Sequence, residues 1–149
     1  MPPTDPITEQ LVEKIVARLE AIQEGETYWY TPLEVARDYK FHTDVKGFPF
    51  YGVIDDEKAA EGEDNQDIHD LFTVTIVGWV KSDQDRRLTV RRAISDVERA
   101  IYSDETWDGL AIWTEYPSTR TDRAALIAKP FAYFEMTLAI HYDHGRKTT

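Results

Sequence analysis

The chain has 149 residues, 42% hydrophobic and 30% charged, with 28 acidic side chains against 17 Lys and Arg and a formal net charge of −11. That length and balance describe one globular domain, residues 1–149, with room for a real core. The acidity argues against a sequence-reading nucleic-acid binder, whose affinity rests on basic contacts, and the lack of cysteine excludes disulfides, thiolate nucleophiles and cysteine metal sites.

The opening Met1-Pro2-Pro3-Thr4-Asp5-Pro6 has neither the basic nor the apolar region of a signal peptide. Asp5-Pro6 instead offers a helix N-cap and a first-turn proline. Ile7, Leu11, Ile15, Leu19 and Ile22, widened by Val12 and Val16, then recur at helical spacing as far as Gly25, a candidate C-cap. Thr27–Thr31 is aromatic and β-prone, Leu33–Tyr39 reads as further strand, Lys40–Phe48 as irregular and Phe50–Ile54 as a short strand. In acidic surroundings, Phe48, Phe50 and Tyr51 read as packing residues rather than a platform for bases.

Asp55–Asp67 breaks the composition. Asp55, Asp56, Glu57, Glu61, Glu63, Asp64 and Asp67 stand against Lys58 alone. Such a run repels itself and predicts a mobile, solvated loop. A Ca²⁺ loop is the sharper alternative, but no register supplies both the turn glycine and the twelfth-position Glu of an EF-hand.

Leu71–Val80, dense in β-branched and aromatic residues, reads as a strand, and as an uncharged run it is too short to cross a bilayer as a helix. Ser82–Asp85 holds several N-caps for a second helix, in which Val90, Ala93, Ile94, Val97 and Ile101 cluster on one face and Leu88 lies nearly opposite. Arg87 and Arg91 stack at i,i+4, and Arg91 has no acid three or four residues away. An unpaired surface Arg is usually just solvated; it is also one half of an intermolecular salt bridge.

Trp107-Asp108-Gly109 reads as a turn, Leu110–Tyr116 as a strand, Pro117–Asp122 as a loop and Ala124–Ala128 as a short strand segment. Phe131–Tyr142 alternates, with Phe134, Met136, Leu138 and Ile140 on one buried face. Asp143–Thr149 reads as a frayed tail. Together these elements predict an α+β fold: a mostly antiparallel sheet of about four to five strands with two main helices packed on it.

No nucleotide-binding, zinc-protease or nucleophile-elbow motif occurs. His141 and His144 are the one candidate metal pair, but an alternating strand sends them to opposite sides. No catalytic centre, cofactor or metal is expected.

Four stretches carry a family resemblance: the opening helix Ile7–Ile22 with the aromatic Thr27–Thr31 behind it; Phe72–Val80 leading through a charged turn into the helix that ends Asp96-Val-Glu-Arg-Ala-Ile101; Asp104–Ala111 turning into Ile112–Tyr116; and the closing strand Ala132–Tyr142. In order and local character they resemble the tail terminator, or tail completion, proteins of long-tailed bacteriophages over roughly residues 7–142. The resemblance implies a non-enzymatic subunit of a hexameric ring in the virion tail, assembled in the host cytoplasm; the alternatives are another neck or tube subunit, or a small-ligand-binding or enzymatic α+β domain, which a deep apolar pocket with convergent polar groups would favour. The ring subunit's partners would be other copies of itself, the tail tube protein and head-completion proteins, with DNA passing through unread and no membrane involved. A domain of this size is ~35–40 Å across, so six in a ring leave a bore of roughly 35 Å. Ring closure needs two unlike patches on each subunit. Arg87, Leu88 and Arg91 are the candidates for one patch, and Asp55, Asp56, Glu57, Glu61, Glu63 and Asp64 for the other.

Overall fold

The computed structural model describes residues 2–64, 66–121 and 127–145. Among these residues, two helices and six strands follow in the order α1 (Ile7–Glu20), β1 (Glu34–Ala36), β2 (Phe50–Glu63), β3 (Asp67–Lys81), α2 (Arg86–Ile101), β4 (Trp113–Thr114), β5 (Ser118–Thr121) and β6 (Phe131–Gly145). The fold is α+β. Its single sheet runs β1-β2-β3-β6-β4, with β5 also on β6, and every pairing is antiparallel except β1 with β2. Six strands replace the four to five expected because three of them are short edge pieces that take their shape from a longer partner.

The helical stripes behave as their periodicity predicts. Leu11, Val12, Ile15 and Leu19 of α1 and Val90, Ala93, Val97 and Ile101 of α2 are buried against one face of the sheet. Each large side chain among them contributes roughly 1.5–3 kcal/mol relative to exposure, against the entropy of ordering the chain. Phe134, Met136, Leu138 and Ile140 complete this core from β6 and are wholly buried.

Both ends of α1 differ from expectation. Pro6, which has no side-chain oxygen, occupies the N-cap, and no side-chain cap bond forms. The Asp5 carbonyl accepts from Gln10 Nε2 at 2.9 Å. The helix stops at Ala21, because the N–H of Gly25 turns to the Tyr28 carbonyl at 3.1 Å and that of Glu24 to Thr31 Oγ1 at 2.8 Å. Thr27–Thr31 makes one bridge, Glu24 with Tyr28, and no ladder. Its N–H groups find a side-chain acceptor instead: Trp29 and Tyr30 donate to the two carboxylate oxygens of Asp96 on α2, at 2.9 and 3.0 Å.

The acidic run is a strand and not a mobile loop. Phe50–Glu63 forms one arm of a long hairpin whose other arm is β3. The Asp64 carboxylate shapes the turn by accepting the N–H of Gln66 at 2.8 Å and of Asp67 at 2.7 Å. Register shifts between Asp55 and Glu57 and between Ala60 and Gly62 leave Asp56 and Glu61 as bulges. Pairing with β3 outweighs the self-repulsion, because the outer side of β2 faces no other described strand beyond Gly52 and the acids project into solvent.

At the far end, Asp143–Gly145 continues β6 rather than fraying, since β3 pairs with β6 from Lys81↔Phe131 to Asp67↔Gly145. The expected strand Leu110–Tyr116 shrinks to Trp113–Thr114, because Leu110 and Ala111 belong to the Trp107 turn. Part of the expected loop after Pro117 pairs with β6 as β5. Of the expected segment Ala124–Ala128, residues 124–126 lie outside the described residues, as does 146–149 of the tail.

The reverse face of the sheet carries a second, smaller core. Phe50, Val77, Trp79 and Tyr133 are buried there under Ala36, Val45 and Phe48. Phe50 and Tyr51, on opposite faces of β2, are both fully buried as packing residues. Gly78, paired with Tyr51, makes room for Phe134 in the main core: a Cβ there would lie 2.1 Å from the Phe134 ring.

Candidate functional site

α2 begins with an Asp85 N-cap, whose Oδ1 accepts from the Leu88 N–H at 3.0 Å. Its sequence holds five arginines and two acids, a cationic ridge on an acidic protein. Arg86 is tied down, donating to the carbonyls of Ile127 at 2.7 Å and Phe131 at 2.9 Å. The Arg92 guanidinium lies 4.0 Å over the half-exposed Trp29 ring. Arg87 and Arg91 are exposed, and neither forms a hydrogen bond or ion pair with any described residue. Leu88, opposite the core stripe, is half-buried rather than fully exposed and lines a shallow cleft with Tyr30, Lys81 and Arg92.

The six acidic candidates do not share one surface. Residues directly paired across β2 and β3 point to the same face. Asp55, opposite Val74, and Glu63, opposite Ile68, therefore lie on the helix side, while Glu57, opposite Thr73, lies on the reverse side. The bulged Asp56 accepts the Thr75 hydroxyl, and the bulged Glu61 reaches His141 Nδ1 at 3.0 Å, so both join the reverse side. Asp64 stays in the turn, 3.6 Å from His69 Nε2. Acids and bulges along the outer edge of β2, which beyond Gly52 pairs with no other described strand, also keep that edge from indiscriminate strand pairing.

The histidines sit in this acidic field. His141 stacks on Trp113, with ring centroids 4.6 Å apart and planes 3° from parallel, between Glu61 and Glu115 at 3.0 and 3.4 Å. His69 bonds Asp143, whose carboxylate pushes its pKa up. His144 is on the opposite face, as alternation requires, but it is buried: Nε2 lies 2.8 Å from the buried Asp70 carboxylate and Nδ1 2.8 Å from the Gly145 carbonyl. Among the described residues, no three His or acidic side chains are grouped to hold a metal ion.

A groove of about 570 Å³ opens on the reverse face, beyond the small core. Trp79 and Tyr133 form its floor, Tyr39 and Phe41 stand at its wall, and Asp56 and Glu135 provide its carboxylates. Glu34 holds the wall by accepting the Lys46 N–H at 2.8 Å and the Lys40 ammonium. Trp79 Nε1 donates to the Lys40 carbonyl at 2.9 Å. Tyr39 and Phe41 meet Tyr133 and Trp79 edge-on, at 6.3 and 5.8 Å, and remain 43% and 48% exposed. Glu135 is paired with Arg120 at 2.8 Å, whereas among the described residues Asp56 has only the Thr75 hydroxyl.

Sequence reasoning missed two organising acids. Asp96 left a signal, being a carboxylate within the buried arc of α2. Asp104 left less. It accepts from the N–H groups of Thr106 and Asp108 at 3.0 and 2.8 Å, which fixes a turn where Trp107 and Asp108 have φ of 54° and 60°. Arg18 lies 4.0 Å over the buried Trp107 ring and 3.3 Å from Asp104. In comparisons with known proteins, no family model and no curated protein matches this sequence.

Proposed function

We propose that this chain is a structural subunit of virion assembly, resembling the tail terminator proteins of long-tailed bacteriophages. In that role a ring of copies, most simply a hexamer, caps the tail tube, stops its polymerisation and presents a surface to head-completion proteins. DNA crosses the bore without being read. The reading includes no catalysis and no cofactor.

What supports it, beside the order of elements, is one observation. The subunit carries two unlike and electrically complementary patches on opposite faces, the Arg87/Arg91 ridge of α2 and the reverse-side acids Asp56, Glu57 and Glu61. That is the requirement for a heterologous interface, which closes a ring when the rotation between copies permits. Single exposed pairs contribute only ~0–1 kcal/mol, so the patches orient and select more than they bind. Another neck or tube subunit is the nearest alternative, distinguished by whether the protein arrests polymerisation of tube subunits in a reconstitution.

The test is assembly mass by light scattering. Reversing both Arg87 and Arg91 to Glu should favour the monomer at low salt, and Glu57→Lys with Glu61→Lys should partly restore the ring. An unchanged mass in low and high salt removes the ridge from the interface.

A further inference from the structure

We propose that the reverse-face groove is the socket for Arg87 and Arg91 of a second copy of this chain, seated between the aromatic wall and Asp56. This rests on the ring reading above and names the surface that receives the ridge.

Phe41 is 48% exposed and stands edge-on to Trp79, Tyr39 flanks it beside Tyr133, and Asp56 is a carboxylate with no cation on it among the described residues. Aromatic faces beside a carboxylate suit a cation, and a guanidinium best of all, because it stacks flat on a ring while its N–H fork takes the carboxylate. Side chains one helical turn apart have Cβ atoms ~5–6 Å from each other, and a groove of about 570 Å³ has room for both.

The same chain supplies the matching cations. Arg87 and Arg91 stand one turn apart on α2, exposed and without partners among the described residues, on a protein of net charge −11. α2 packs on one face of the sheet and the groove opens on the other, and among the described residues neither arginine bonds a groove residue of its own copy. The contact is therefore front to back between copies. Such a contact repeats from copy to copy, as a ring demands.

The chain has no native cysteine, so engineered cross-links report this geometry without background. Arg87→Cys leaves Arg91 to dock, and Glu57→Cys sits beside Asp56 and leaves it intact. Mixed and mildly oxidised, these two variants should give at least about tenfold more disulfide-linked dimer than Arg87→Cys mixed with Glu13→Cys, whose cysteine is on exposed α1 surface, because docked sites meet at a high effective concentration. The excess should shrink in 1 M salt, where screening falls to ~3 Å. Yield equal to the control overturns the socket. If the wild-type protein still scatters as an assembly, the ring reading survives with other contacts. If it stays at 17.3 kDa, the ring reading fails as well.

Discussion

Asp96 is the most exacting place to test how the helices are joined to the rest of the fold. It is 1% exposed, sits within the buried arc of α2, and its two oxygens take the N–H groups of Trp29 and Tyr30 at 2.9 and 3.0 Å. Asp96→Ala deletes both acceptors. A hydrogen bond to a charged group is worth ~1.5–3 kcal/mol, but the N–H groups regain some water because Trp29 is half-exposed. Removing the buried charge also recovers desolvation, the main reason its pKa lies above the ordinary Asp value. A net loss of about 2–3 kcal/mol follows, or roughly 4–12 °C in Tm for a chain of this length. Asp96→Asn keeps one acceptor and should lose less. The assay is urea unfolding followed by tryptophan fluorescence, with unchanged slope as the check on two-state behaviour. The sign with pH is a second constraint. A raised folded pKa means that the titration of Asp96 favours the fold most below the unfolded pKa, and that this part is lost as pH rises through the folded value. The wild type should therefore lose ground relative to Asp96→Asn over that interval. A loss below about 0.5 kcal/mol for Asp96→Ala would show that the Thr27–Thr31 segment is held by something else.

Asp104 should show the opposite pH sign. Its bonds from Thr106 and Asp108 hold its pKa down to about 2, so its stabilisation is full above the ordinary Asp range and lost as pH falls through about 2; the stability gap to Asp104→Asn should close over that range in acid melts. Leu138→Ala should lose ~2–5 kcal/mol in urea melts, as large-to-small changes in a filled core do, and a loss near zero would place Leu138 outside the core. Gly78→Ala should destabilise by ~1–3 kcal/mol through overpacking, because the Phe134 ring occupies the space of the added methyl; equal or higher Tm would show that the ring can move aside.

The main core was legible because period and composition agreed. Leu11, Ile15, Leu19, Val97, Ile101, Phe134, Met136, Leu138 and Ile140 were readable from two helical stripes and one alternating strand, and none exceeds 1% exposure. Composition misled at Asp55–Glu63, where charge suggests solvent and a long partner strand decides otherwise. Two bulges then redistribute its acids between faces, which no alternation rule could anticipate. β1, β4 and β5 are too short to carry a period of their own. At the candidate interface, the spacing of Arg87 and Arg91 was readable within one helix. The groove was not, since Tyr39, Asp56, Trp79 and Tyr133 meet only through sheet register and the loop that Glu34 holds in place.

Whether copies assemble is the most direct question. Size-exclusion chromatography with light scattering, run across protein concentrations at low and high salt, answers it. A closed ring predicts a discrete species well above 17.3 kDa, roughly 104 kDa for six copies, that grows with concentration and shrinks in salt. A single species of 17.3 kDa at every concentration and salt would contradict the assembly reading.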